Sequence, residues 1–199
     1  MVINKTKLLQ NFQLQLPTGY HKESLARLNF LKGKPLRDAA VLIGFVDRPD
    51  GLQVILTKRA EHLRHHPGQI SFPGGKFEAQ DVSLVNTALR ETQEEIGVEN
   101  EHIRIFGQLP KLPTISYFNV TPFLAFVSPD YKLRIDPNEV EYVFEVPANH
   151  LLNPNKLYSS KFRLRNGQHR VFAIPFHQHF IWGMTAQIIE SMQKHIITQ

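Results

Sequence analysis

Between Asp38 and Val98 the apolar positions change rhythm. Asp38 to Val46 is dense in Ala, Val, Ile and Phe, and after Asp47-Arg48-Pro49-Asp50-Gly51 a second apolar run extends from Leu52 to Thr57. These runs predict the two strands of a hairpin, since Pro, Asp and Gly each favour a turn between them. Further on, Val85, Leu89, Thr92 and Ile96 recur at three- and four-residue spacing, which predicts a helix with one face turned to a core. Ile103 to Leu109 and Phe118 to Val127 predict two more strands, separated by the proline-bearing loop Pro110 to Ser116. That loop is a candidate specificity segment on the edge of a rigid scaffold.

Glu139 to Val146 alternates acidic and apolar residues in strand fashion, and Pro147 to Leu152 predicts a short helical turn. A strand from Val171 to Phe176 and a helix from Met184 to Ile197 close the chain, with Met184, Ile188, Met192 and Ile196 forming an apolar stripe. Near the start, Leu25, Leu28 and Leu31 place a short amphipathic helix over Glu23 to Lys32, between Pro17-Thr18-Gly19 and the Gly33 and Pro35 breakers. Residues 1–36 are therefore expected to be an extension packed on a single domain spanning residues 37–199. Trp182 is expected to be a core or packing residue and not a stacking platform.

The helix that ends at Ile96 carries Arg90, Glu91, Glu94 and Glu95 within six positions. At about 100° per residue, Glu95 lies about 40° from Glu91, and Glu94 about 60° from it on the other side. All three acids share a face, away from the apolar stripe. Like charges at this spacing repel by a few tenths of a kcal/mol per pair, a cost that a bound hard cation removes. Oxygen ligands suit Mg²⁺ or Mn²⁺, and the chain has no Cys to suggest a thiolate site. On the helix alone, a solvated acidic face accounts for the carboxylates. Pro73-Gly74-Gly75, just before it, adds a turn through which backbone can approach an anion, so the pair describes a site for a phosphate substrate.

Composition narrows the setting. The 199 residues, 42% of them hydrophobic, are enough for one domain with a sizeable core. No disulfide is possible, and neither a signal peptide nor an apolar run of the ~18 residues that span a bilayer is seen, so a cytoplasmic protein without membrane contact is expected. The net charge of +5 is spread along the chain without a basic-aromatic run, which suits a polyanionic small molecule and not a nucleic acid. His62, His65 and His66 crowd together before a Pro-Gly break without the spacing of a metal pair.

Gly75, five residues, Asp81, eight residues, then Arg90-Glu91-Thr92-x-Glu94-Glu95-x-Gly97-Val98 resembles the Nudix box. Asp81 stands where that box usually has Glu, one extra residue separates it from Arg90, and Thr92 replaces an aliphatic. Glu78 is a rival for the role of that first acid. Upstream, Leu56-Thr57-Lys58-Arg59 and Leu63-Arg64-His65-His66-Pro67-Gly68-Gln69-Ile70-Ser71-Phe72-Pro73-Gly74-Gly75 resemble the motif preceding the box in the coenzyme A pyrophosphatase branch, where the longer box is also familiar.

The resemblance implies an α/β (α+β) fold, an α/β/α sandwich around a mixed sheet containing antiparallel hairpins, with a homodimer usual. It implies a metal-dependent pyrophosphatase that splits coenzyme A or a derivative into 3′,5′-ADP and 4′-phosphopantetheine. Glu91, Glu94, Glu95 and Gly75 are then the candidate metal site. Arg90 orients a glutamate, while Arg59, Arg64, His66, Gly68 and Gln69 are candidate substrate contacts. Glu139 and Glu141 are candidate general bases, besides the helix glutamates. Another diphosphate, such as ADP-ribose, a dinucleotide or a noncanonical NTP, is the alternative substrate. A catalytically silent nucleotide sensor is a further alternative, although it would have no reason to keep self-repelling acids.

Overall fold

The computed structural model describes residues 3–14, 31, 34–164 and 167–197, without the side chains of 14 and 163–169. The helix expected over Glu23 to Lys32 lies outside the described residues except for Leu31, which is buried. The hairpin is present and longer than expected: β1 (Arg37–Arg48) and β2 (Gly51–Arg59) pair antiparallel, with Arg48 opposite Gly51. Two short strands follow, β3 (Ile70–Ser71) against β2 and β4 (Gly74–Lys76) against β1.

Helix α2 (Leu84–Ile96) comes next and is preceded in the chain by α1 (Lys5–Leu14). Ser83 caps the α2 N-terminus, accepting from the Asn86 amide, and Gly97 ends the helix in the left-handed conformation. Beyond it run β5 (Ile103–Gln108), β6 (Leu112–Pro113), β7 (Phe118–Val127) and β8 (Val140–Pro147), then the helical turn α3 (Ala148–Leu151). The chain finishes with β9 (Tyr158–Leu164), β10 (Gly167–Phe176), β11 (His179–Trp182) and α4 (Met184–Ile197).

The large sheet has the order β3-β2-β1-β7-β5, with β4, β6 and β8 added on β1, β7 and β2. Its central pair, β1 and β7, is parallel over ten residues from Arg37↔Phe118 to Val46↔Val127, whereas the other pairings are antiparallel. Strand alternation then sorts β1 between two cores. Ala40 and Leu42 pack beneath α2 with Ala88, Phe123 and Ala125, while Ile43 and Phe45 enter the main core on the opposite face. That second face is covered by Leu8 of α1, by Ile188, Met192 and Ile196 of α4, and by Ile174 and Ile181 of a three-stranded sheet ordered β11-β10-β9. Helical layers thus flank a mixed sheet.

Two sequence expectations shift. The buried stripe of α2 runs through Ala88, Thr92 and Ile96, and Leu89 is only half-buried, because Ala88 is the residue small enough to sit against Ala40. Trp182 is 47% exposed, not in the core, since on β11 it alternates with buried His179 and Ile181. Helix α1 was not foreseen. Its anchors, Leu8 with Leu9 and Phe12, are few, and Phe12 gains its partners from Phe106 and His195 far along the chain.

Candidate active site

Four segments converge on one end of α2: the β4 turn, the end of β2, the start of β8, and the helix itself. The turn matters sterically. A Cβ on Gly75 would overlap the carboxylate of Glu91, so only glycine lets β4 pass this close. Gly74 donates its amide to Glu95.

The three helix glutamates are not equivalent. Glu95 is 2% exposed, and its Oε2 is buried without a hydrogen-bond partner. Burial, followed by the charge of Glu91, pushes the Glu95 carboxyl up to about 8, while the nearby charge of Arg59 acts the other way. Glu91 is mostly buried and is also raised, first by burial and against the pull of Arg90. Glu94 is exposed and turned aside, its Oε2 accepting from Arg90 Nη1 at 2.9 Å.

Arg90 spends all five donors. Nε and Nη2 hold the two oxygens of Asp81 at 2.9 and 3.0 Å, Nη1 reaches Glu91 at 3.1 Å as well as Glu94, and Nη2 also meets the Lys76 carbonyl at 3.0 Å. Asp81 is buried and accepts in addition from the Glu78 amide at 2.9 Å and the Thr87 hydroxyl at 2.9 Å. The Arg90 guanidinium holds its carboxyl well below the usual range. Glu78 is exposed, and its carboxylate accepts from Gln80. Asp81 therefore locks the turn to the helix through Arg90. Thr87 went unnoticed in the sequence, although six residues past an acid at a helix start is a spacing that could have pointed to it.

The two later glutamates separate. Glu139 lies close enough to Glu91 and Glu95 to raise both carboxyls, and its backbone carbonyl accepts from Ala60 at 2.9 Å. Glu141 instead meets Lys58 Nζ at 2.9 Å. On the β2–β3 loop, Arg64, His65 and His66 are exposed, with His66 at φ 55° and Gly68 at φ 65°. Gln69 accepts at its carbonyl from the Arg59 amide, and its side chain lies beside Gly183, which joins β11 to α4.

These residues fit a hard divalent cation: an unpartnered carboxylate oxygen, a second buried carboxylate pressed against a glycine turn, and a third acid nearby leave negative charge without enough positive charge to balance it. Among the described residues, carboxylate and imidazole atoms within 4.8 Å of one another are grouped instead at Glu99, Glu101 and His102, largely on the surface.

The NUDIX domain family model matches residues 35–173. The chain is 39% identical over 179 residues to an uncharacterized Nudix hydrolase NudL of an Enterobacter strain, spanning 86% of this chain and 92% of that protein. Its NudL counterpart in Salmonella typhimurium is 38% identical over 189 residues, spanning 94% and 92%. The chain belongs to the Nudix hydrolase family, and the acid helix and glycine turn lie within the matched residues. Among solved structures, a C. elegans Ap4A hydrolase binary complex aligns with TM-score 0.47 at 18% identity over 54% of this chain and 77% of that one. The NUDIX domain of Shewanella oneidensis NrtR complexed with ADP ribose gives 0.46 at 21% identity, over 67% and 87%. No helix among the described residues is long and apolar enough to cross a membrane.

Proposed function

We propose that this Nudix hydrolase cleaves the pyrophosphate bond of coenzyme A or an acyl derivative in the cytoplasm, releasing 3′,5′-ADP and 4′-phosphopantetheine or its acyl form. The observation that carries the hydrolytic part is the unpartnered Oε2 of buried Glu95, with Glu91 and Glu139 beside it and the Gly75 turn against Glu91. The coenzyme A part rests on the Leu56 to Gln69 motif that precedes this turn.

Glu91 and Glu95 would hold the cation, with Gly75 and Glu94 adjoining. Bound there, Mg²⁺ or Mn²⁺ neutralises pyrophosphate oxygens and acidifies a water. Arg90 keeps Glu91 and Glu94 oriented through its bonds to both and is itself fixed by Asp81. Glu139 accepts the proton of the attacking water, because it is the later glutamate that faces Glu91 and Glu95, whereas Glu141 is engaged by Lys58. Arg59 and Arg64 supply guanidinium groups for phosphate oxygens, and His66, Gly68 and Gln69 line the approach.

The test is a hydrolysis screen with Mg²⁺ or Mn²⁺ over coenzyme A, acyl derivatives, ADP-ribose, dinucleotides and noncanonical NTPs. Coenzyme A or an acyl form should give the highest kcat/KM. A tenfold preference for ADP-ribose or a dinucleotide would overturn the substrate assignment and leave the catalytic one standing.

A further inference from the structure

We propose that Lys58 is a positioning residue that ties the β2–β3 loop to strand β8. This rests on the function proposed above insofar as that loop carries the candidate substrate contacts.

Lys58 sits where the β2–β8 register shifts, between Lys58 and Arg59. Such an irregularity re-aims a side chain at the end of a strand. From there its Nζ lies 2.9 Å from Glu61 Oε1 and 2.9 Å from Glu141 Oε2. Glu61 opens the loop and Glu141 belongs to β8, so one ammonium group joins the two. Glu141 stands two residues after Glu139, the candidate base. Lys58 therefore links the segment that would receive the substrate to the segment that would take the proton.

Glu61 also reaches the far side of its own loop. A Cβ on Gly68 would lie 2.6 Å from Glu61 Oε1, and Gly68 has φ 65°, so the carboxylate rests against backbone that only glycine adopts without strain. The neck is closed independently by the Arg59 amide, which donates to Gln69 at 2.9 Å, and the chain at the loop's start is held to the start of β8 by the Ala60 amide, which donates to Glu139 at 2.9 Å. With the neck already closed, the fold does not need the ion pairs. They set the pitch of the loop between the neck and its exposed tip at Arg64, His65 and His66. Partly exposed ion pairs are weak, so the effect belongs in substrate affinity and not in folding.

The test compares Lys58→Met, Lys58→Arg, Glu61→Gln and the Lys58→Met/Glu61→Gln double variant. KM and kcat on coenzyme A are measured together with amide hydrogen exchange of residues 61–69 in the substrate-free protein. Lys58→Met and Glu61→Gln should each raise KM about two- to fivefold with a smaller change in kcat, and each should speed exchange in residues 61–69. Lys58→Arg should restore both readouts, and the double variant should be no worse than either single one. Unchanged exchange in Lys58→Met, additive single effects, or a fall in kcat at constant KM would overturn the proposal. A wild-type protein inert toward coenzyme A would remove the substrate assignment instead, while the exchange comparison would still uphold or overturn the tie.

Discussion

Arg90 closes a two-point grip on Asp81 across the turn that leads into α2, with Nε 2.9 Å from Oδ1 and Nη2 3.0 Å from Oδ2. Because Asp81 is buried and its carboxyl is held below the ordinary range, it stabilises the fold above its unfolded pKa of about 4 and loses that contribution as pH falls. Asp81→Asn should lower stability by about 2–4 kcal/mol at neutral pH, because the partly buried guanidinium loses its two-point partner and keeps, as charge partners, only the Nη1 contacts to Glu91 and Glu94. The gap to wild type should narrow in strong acid. Urea unfolding at neutral and acidic pH measures both, and an unchanged neutral midpoint would mean that the grip contributes nothing.

Glu95 has the opposite sign. Its folded carboxyl is pushed up to about 8, so between its unfolded pKa of about 4 and that value the native state holds a proton that the unfolded chain has released. Stability in EDTA should therefore fall as pH rises through this window, by an amount on the order of 5 kcal/mol at about 1.4 kcal/mol per pKa unit. In Glu95→Gln the slope should flatten, and in the wild type Mg²⁺ should restore stability at the upper end by favouring the ionised form. Thermal melts with EDTA across the window, and with Mg²⁺ at its top, check the sign. Parallel curves for the two proteins in EDTA would count against the buried, raised carboxyl.

Gly75→Ala tests the close approach of turn and helix. Gly75 is not among the residues with positive φ, so alanine is tolerated by the backbone and the effect comes from Cβ meeting the Glu91 carboxylate. Displacing Glu91 should raise the Mg²⁺ concentration for half-maximal activity by about tenfold, a typical effect of disturbing the groups that fix a metal ligand. Metal titration of initial rates measures it. A shift in KM for substrate with unchanged metal dependence would point to a different use of the turn.

Much of this was legible in the chain because the controlling signals are local. The β1–β2 hairpin follows from Pro49, Asp50 and Gly51, the helix from its apolar spacing, and the charged face from the positions of Glu91, Glu94 and Glu95. The inequality of those glutamates was not legible, because it is decided by what lies opposite. Gly75 and Arg59 approach one side and Arg90 draws Glu94 away on the other. Likewise, the parallel pairing of β1 with β7 joins residues about eighty positions apart, and no periodicity encodes it. Strands β9 and β11 were missed for a related reason. β9 is exposed at Tyr158, Ser160 and Phe162, and β11 has only four residues, so neither shows a clean alternation long enough to stand out.

Glu139 and Glu141 looked interchangeable in the sequence, two acids on one strand-like stretch, and their surroundings make opposite predictions for kinetics. Glu139 adds to the negative charge felt by Glu91 and Glu95, whereas Glu141 is paired with Lys58 at 2.9 Å. A general base contributes about 10²- to 10⁴-fold, so Glu139→Gln should lower kcat by about 10²-fold or more at saturating substrate and metal. Glu141→Gln removes one arm of the Lys58 tie and should act mainly on KM, by about two- to fivefold. Steady-state kinetics of the two variants separate the roles, because loss of a proton acceptor appears in kcat and loss of a positioning contact appears in KM. The reverse pattern, with kcat collapsing in Glu141→Gln and surviving in Glu139→Gln, would move the base to β8 and require Lys58 to release Glu141 during turnover.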